Sequence, residues 1–113
     1  MVTSQKVGFR MPKKTARLIF HDEYEGAEVV VRLDVPLGKF LEIQDLVDEG
    51  KQLQVFEIFG ESVIDSWNLQ DNDGTPLSPD GKGMKDLPIE MANLILTEWS
   101  EVAVQAPDPL EEN

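Results

Sequence analysis

Residues 15–33, TARLIFHDEYEGAEVVVRL, decide the class of fold that this chain adopts. Apolar and polar side chains alternate from Thr15 to His21 and again from Ala27 to Leu33, and an alternation of this kind is typical of β-strands. The polar loop between the two runs contains Gly26, a residue type that readily takes positive φ. The two runs therefore predict an antiparallel β-hairpin. A lone hairpin is marginally stable in water, so one of its faces has to pack against other elements.

Two predicted helices follow the hairpin. The first begins at Pro36, with Asp34 as the expected N-cap, and ends at Gly50, a good helix stop. The second is expected from about Gln52 to Trp67, because apolar residues recur there at helical spacing. Gly60 lies inside the second helix, where glycine costs about 1 kcal/mol relative to alanine. It therefore indicates either close packing or a bend.

A tight turn and a final helix complete the predicted elements. Asp71-Asn72-Asp73-Gly74 predicts a short hairpin-like turn, and the glycines and proline of residues 78–86 predict an irregular loop after it. Asp86 is the expected cap of the final helix, and Glu90 lies in its first turn. That helix carries an apolar stripe, which consists of Met91, Leu94, Ile95, Trp99 and Val102.

These elements predict an α+β fold. An N-terminal antiparallel β-hairpin packs on about three α-helices, with the short hairpin-like turn between the last two helices. A single domain over residues 15–105 is the expectation for a chain of this length. Residues 1–14 are expected to form a flexible basic leader, and residues 106–113 a flexible acidic tail.

The charge of the chain is strongly uneven. The sequence has 10 Lys or Arg and 22 Asp or Glu, for a net charge of −12. Residues 1–17 contain no acid and five cations, namely Lys6, Arg10, Lys13, Lys14 and Arg17. The acidic body repels phosphate backbones, so we expect no nucleic-acid partner for it. The leader is interpreted as a solvated arm, or as a segment that pairs with an acidic face of its own chain or of a neighbour.

The residues that could carry chemistry do not form a recognisable site. Cysteine is absent, His21 is the only histidine, and no serine lies in a Gly-x-Ser-x-Gly context. An EF-hand alignment of the acidic turn fails, because it puts Leu69 in the first ligand position and Asp80 in the last. We therefore predict no catalytic residue, no cofactor and no metal, and a protein that is not an enzyme.

The expected compartment is the cytoplasm. No apolar run approaches the roughly 20 residues of a membrane-spanning helix. No apolar segment follows the N-terminal cations, so a secretory signal is not expected either. We therefore expect no membrane partner.

The final helix also offers a candidate partner-binding face, made of Leu94, Trp99 and Val102. Aromatic and aliphatic anchors of this kind are common where a partner helix binds. The alternative interpretation places the same apolar stripe in the core. Both interpretations stay open at the level of the sequence.

Several short motifs of the sequence occur in an order typical of one family. They are Ser66-Trp67-Asn68-Leu69, Asp71-Asn72-Asp73-Gly74-Thr75-Pro76, Trp99 in the last helix, and Pro109-Leu110. With the preceding hairpin and helix pair, this order resembles the tail assembly chaperones of long-tailed (siphovirus-type) actinobacteriophages.

The resemblance implies a function in phage tail morphogenesis. Such a chaperone binds the tape measure protein and keeps it soluble in the host cytoplasm, and the chain itself or a frameshifted longer form would be a further partner. Two alternatives stay open. One is a structural virion component, such as a tail-completion or head-tail joining protein, and the other is an acidic inhibitor of a host protein.

Overall fold

The structure, a computed structural model, describes residues 7–104. Its elements are β1 Thr15–Ile19, a 3-10 turn Asp22–Tyr24, β2 Glu28–Arg32, α1 Leu37–Asp48, α2 Gln52–Ser62, β3 Ile64–Trp67, α3 Gly81–Asp86 and α4 Ile89–Val104. The predicted α+β class and N-terminal hairpin are confirmed. Residues 1–6 of the predicted leader and all of the predicted tail, 106–113, lie outside the described residues.

The three strands form one antiparallel sheet in the order β1-β2-β3. Leu18 pairs with Val29 across the hairpin, and both side chains are buried because they lie on the face that meets the helices. Gly26 has a φ of 99°, a conformation that lets the chain reverse before β2. β1 is an edge strand, and β2 is the centre of the sheet.

The third strand corrects the prediction of one helix from Gln52 to Trp67. The helix ends at Ser62, and Ile64–Trp67 pairs with β2, where Val29 lies opposite Trp67. Val63 and Trp67 are four residues apart, a spacing that suits a helix face, so periodicity alone could not separate the two elements. Pairing with β2 prevails because it satisfies the second edge of that strand and gives the hairpin a wider sheet.

The loop predicted over residues 78–86 contains a short helix, α3, and this prediction was therefore wrong in part. The Asp80 side chain caps the helix by accepting a hydrogen bond from Gly83 N at 3.0 Å. The hydrogen bonds from Gly83 and Ser78 lower the pKa of Asp80, since they favour its ionised form. The structure also corrects the cap predicted at Asp86, because that residue ends α3 and pairs with Lys82 at 3.0 Å.

Of the two predicted ends of α1, the C-terminal end is confirmed and the N-terminal cap is not. Its N-cap is Pro36, without a side-chain hydrogen bond, so the predicted cap at Asp34 was wrong. At the other end, Gly50 has a φ of 74° and donates its N–H to Val47 O at 3.0 Å, as expected for a glycine helix stop. The hairpin-like turn is also confirmed, since Gln70 bridges to Pro76 in antiparallel fashion.

The core lies between the sheet and the helices. Its fully buried side chains come from β1, β2, the four helices and the residue between α2 and β3. They are Leu18, Val29, Val31, Ile43, Phe59, Val63, Met84, Ile95 and Trp99. Gly60 decides how closely α2 and α3 approach, because a Cβ at that position would lie 2.5 Å from the carbonyl carbon of Asp80. Gly60 is therefore a close-packing glycine.

Candidate partner-binding surfaces

Trp99 is a core residue. Its side chain is 1% exposed, and its ring centroid lies 5.2 Å from that of Phe59 in an edge-to-face arrangement and 5.5 Å from that of Phe40. Among the described residues its indole Nε1 has no hydrogen-bond partner. Trp99 therefore offers almost no surface to a partner in this structure, and its packing explains its place in the apolar stripe of α4.

Leu94 and Val102 are half-buried on the same helix. Leu94 lines a cleft near the start of the hairpin loop, whereas Trp99 lines a different depression with Leu33 and Phe40. The structure thus does not bring the three predicted residues together in one exposed face. A role for Leu94 and Val102 in binding stays a prediction.

The cleft that contains Leu94 is lined by several acidic and a few apolar residues, and we call it the acidic cleft. It has a volume of about 410 Å³ and is lined by Ile19, Phe20, His21, Asp22, Glu23, Tyr24, Glu90, Leu94 and Glu98. Its walls are the end of β1, the 3-10 turn and one face of α4. Sequence reasoning missed the cleft because its two halves are far apart in the chain and only the packing of α4 on β1 brings them together.

The electrostatics of the acidic cleft favour a cationic occupant. Within residues 7–104, no Lys or Arg lies within 4.0 Å of the carboxylates of Asp22, Glu23, Glu90 or Glu98. The burial of Tyr24 and the negative charges of Glu90 and Glu23 raise the pKa of its hydroxyl. Four carboxylates around partly apolar walls produce a negative potential that draws cations into the cleft.

A second surface is apolar, and we call it the apolar groove. It lies between the start of α2 and the junction of α3 and α4, and it is lined by Gln52, Leu53, Phe56, Met84, Lys85, Leu87, Ile89 and Ala92. Leu53 is 64% exposed and Ile89 is 66% exposed, although both belong to apolar helical runs. The sequence signal for this groove was the recurrence of apolar residues at helical spacing in the predicted second helix.

The described part of the leader, residues 7–14, is an exposed segment without helix or strand, and we call it the arm. Its apolar side chains are 87% exposed at Val7, 82% at Phe9 and 76% at Met11. The root of the arm is held to the body, because Lys14 O accepts a hydrogen bond from Leu33 N at 2.8 Å and Lys13 Nζ lies 3.5 Å from Asp65.

The residues that carry the family resemblance hold the fold together. Trp67 Nε1 donates to Leu77 O at 2.7 Å, which ties β3 to the end of the hairpin-like turn. Asn68 Nδ2 donates to Gly26 O at 3.1 Å, and Asn68 Oδ1 accepts from Glu28 N at 2.8 Å. The Trp and Asn of the Ser-Trp-Asn-Leu motif therefore stabilise the fold of this chain.

Replacing Asn68 by alanine is expected to lower the free energy of unfolding by about 1–2 kcal/mol, because two hydrogen bonds to the hairpin are lost and water replaces them only in part. Urea unfolding followed by circular dichroism measures this loss. Asn93→Ala is a matched control, since Asn93 is an exposed asparagine of α4. Equal stability of the Asn68 variant and the wild type would contradict the role assigned to Asn68.

The acidic turn is a hydrogen-bonded turn of the backbone. Asp71 Oδ1 accepts from the backbone N–H groups of Asp73 and Thr75, both at 2.9 Å, and Gly74 has a φ of 86°. The predicted tight turn is thus confirmed. Over residues 7–104, no group of three or more His, Asp or Glu residues is placed to hold a metal ion.

No protein-family model matches this sequence, and no curated protein or solved structure matches it. Within the described residues, every helix is too short or too polar to cross a membrane. The surfaces of this chain and the resemblance of its motifs are therefore the basis for inferring its function.

Proposed function

We propose that this protein is a phage tail assembly chaperone that binds the tape measure protein and keeps it soluble during tail morphogenesis in the host cytoplasm. The resemblance described above supplies the class of client. The observation that carries the proposal is the apolar groove, where Leu53 and Ile89 expose most of their side chains. A chaperone needs exposed apolar surface for its client, and most other exposed side chains among residues 7–103 are polar or charged.

The chemistry of the groove suits an amphipathic helix. Residues of α2, α3 and α4 line the apolar groove, and most of them are aliphatic or aromatic. Helical ligands bind such grooves through residues at i, i+3, i+4 and i+7. The net charge of −12 keeps a complex with an aggregation-prone client in solution. Lys85, at the edge of the groove, is engaged by Glu57 at 2.9 Å, so the groove itself has little free charge.

Co-expression with the tape measure protein of the same phage tests the proposal. We expect the client to become soluble and to co-purify with this chain. The double variant Leu53→Ser/Ile89→Ser is expected to lower the recovered client at least tenfold, and it should stay folded because both side chains are exposed. Leu37→Ser is the matched control, since Leu37 is 71% exposed on α1 and does not line the groove.

Two results would count against the chaperone. One is a client that stays insoluble and unbound while this chain is folded. The other is full client recovery with the groove variant, which would place binding elsewhere. If binding is lost only with a variant of Leu94 or Val102, the face predicted on α4 is the site instead.

A structural virion component is the second candidate function. The exposed arm favours it, since its unburied apolar side chains are typical of a surface that contacts another protein. Mass spectrometry of purified virions separates the two functions. A structural component is retained in the finished particle, whereas a chaperone is absent from it.

A further inference from the structure

The arm combines exposed apolar side chains with positive charges. Val7, Phe9 and Met11 occupy alternate positions, so their side chains would lie on one side of the arm when it binds in an extended conformation. Arg10, Lys13 and Lys14 give residues 7–14 three positive charges and no negative one. A segment that presents apolar side chains and cations together is complementary to a cleft with apolar walls and carboxylates.

The acidic cleft has those properties. Ile19 and Leu94 supply apolar surface, and the four carboxylates around them have no Lys or Arg within 4.0 Å in the described part of the chain. Ile19 is 60% exposed, although it is a large aliphatic residue. An apolar and cationic segment in the cleft would cover this side chain and neutralise part of the negative charge.

The arm does not enter the cleft of its own chain. The cleft begins at Ile19, at the end of β1, whereas the root of the arm is held by Leu33 and Asp65 beside the start of β1. The apolar side chains of the arm are exposed, and an added Cβ at Gly8 would meet no atom within 4 Å. The arm thus leaves the body at the end of β1 that is opposite to its own cleft.

We propose that the arm of one copy of this chain docks in the acidic cleft of a second copy, so that the protein forms a dimer by reciprocal exchange of arms. When two copies lie with their β1 edges antiparallel, the start of one β1 is beside the end of the other. When extended, the arm spans about 25 Å at about 3.3 Å per residue, which is enough to pass the neighbouring edge and enter the cleft. Such an exchange is symmetric and closes at two subunits.

The oligomeric state of the full chain tests the exchange. We expect sedimentation equilibrium at 150 mM NaCl to show a dimer, because a Debye length of about 8 Å screens the repulsion between the two acidic bodies more than the attraction between charges in contact. Arg10→Glu in the arm and Glu90→Lys in the cleft are each expected to raise the dissociation constant at least tenfold. Both residues are exposed, so neither variant should unfold.

A charge swap distinguishes docking from a general effect of net charge. The chain with both Arg10→Glu and Glu90→Lys should recover dimerisation, because the attraction is restored with reversed signs. Lys51→Glu is the control for charge alone, since Lys51 is an exposed cation outside the arm and the cleft, and it should leave the dimer intact.

Three outcomes would overturn the arm exchange. They are a monomeric wild type at millimolar concentration, a dimer insensitive to Arg10→Glu, and single variants that the charge swap does not rescue. The exchange is independent of the proposed chaperone function, because none of these measurements involves the client.

Discussion

Replacing Trp99 by alanine is expected to lower the free energy of unfolding by about 3–5 kcal/mol, the usual cost of truncating a buried large aromatic side chain. The indole ring is 1% exposed and packs on Phe40 and Phe59, so its removal leaves a cavity among rings that α1, α2 and α4 hold in place. A loss of this size is a large part of the free energy of unfolding of a typical domain, which is about 5–15 kcal/mol.

Urea unfolding followed by tryptophan fluorescence and circular dichroism measures the loss at Trp99. Leu53→Ala is the control, because a large apolar residue that is 64% exposed should change stability by no more than about 0.5 kcal/mol. A Trp99 variant within about 1 kcal/mol of the wild type would contradict the core position of the ring. Any loss of client binding by Trp99→Ala must therefore be read together with its stability.

Replacing Gly60 by alanine is expected to destabilise the protein by about 1–3 kcal/mol, the cost of overpacking, although helix propensity alone favours alanine by about 1 kcal/mol. The added Cβ would lie 2.5 Å from backbone atoms of Asp80 and Gly81. Backbone atoms cannot rotate aside as a flexible side chain can, so α2 and α3 would have to separate.

Gly38→Ala is the matched control for Gly60→Ala. Gly38 is also helical, but a Cβ there meets no atom within 4 Å. We expect Gly38→Ala to stabilise the protein by about 0.4–1 kcal/mol, chiefly because alanine restricts the unfolded chain. Thermal unfolding of the two variants should therefore shift the midpoint in opposite directions. A rise in both midpoints would show that α2 and α3 do not need the close approach at Gly60.

The local elements of this fold were predictable wherever the residues that produce an element lie within the element itself. Alternation in residues 15–33 is sufficient for a hairpin, because the period of side chains along a strand decides which face is buried. Gly26, Gly50 and Gly74 end their segments with positive φ, a conformation that few other residues take without strain. The end of α1 and the turn after β3 could thus be predicted from single residues.

The elements that were mispredicted depend on partners far away in the chain. Ile64–Trp67 is a strand because β2 has a second edge to satisfy, and residues 64–67 alone fit a helix equally well. Gly81–Asp86 is helical although it contains two glycines, because Asp80 caps it. A Cβ at Gly81 would lie 2.8 Å from Glu57 O of α2, and a Cβ at Gly83 would overlap Ser78 O, so neither position has room for a larger residue. Local propensity is weaker than these tertiary contacts.

The candidate surfaces also separate into features that local sequence determines and features that distant contacts determine. The sequence by itself determined the acidic body, the basic leader, the hairpin and the apolar stripes of the helices, because charge and periodicity are properties of neighbouring residues. Only the tertiary structure decided which apolar residues are core and which are surface: Trp99 is buried, whereas Leu53 and Ile89 are exposed. The physical reason is that burial depends on what packs against a side chain, and residues distant in the chain supply that packing.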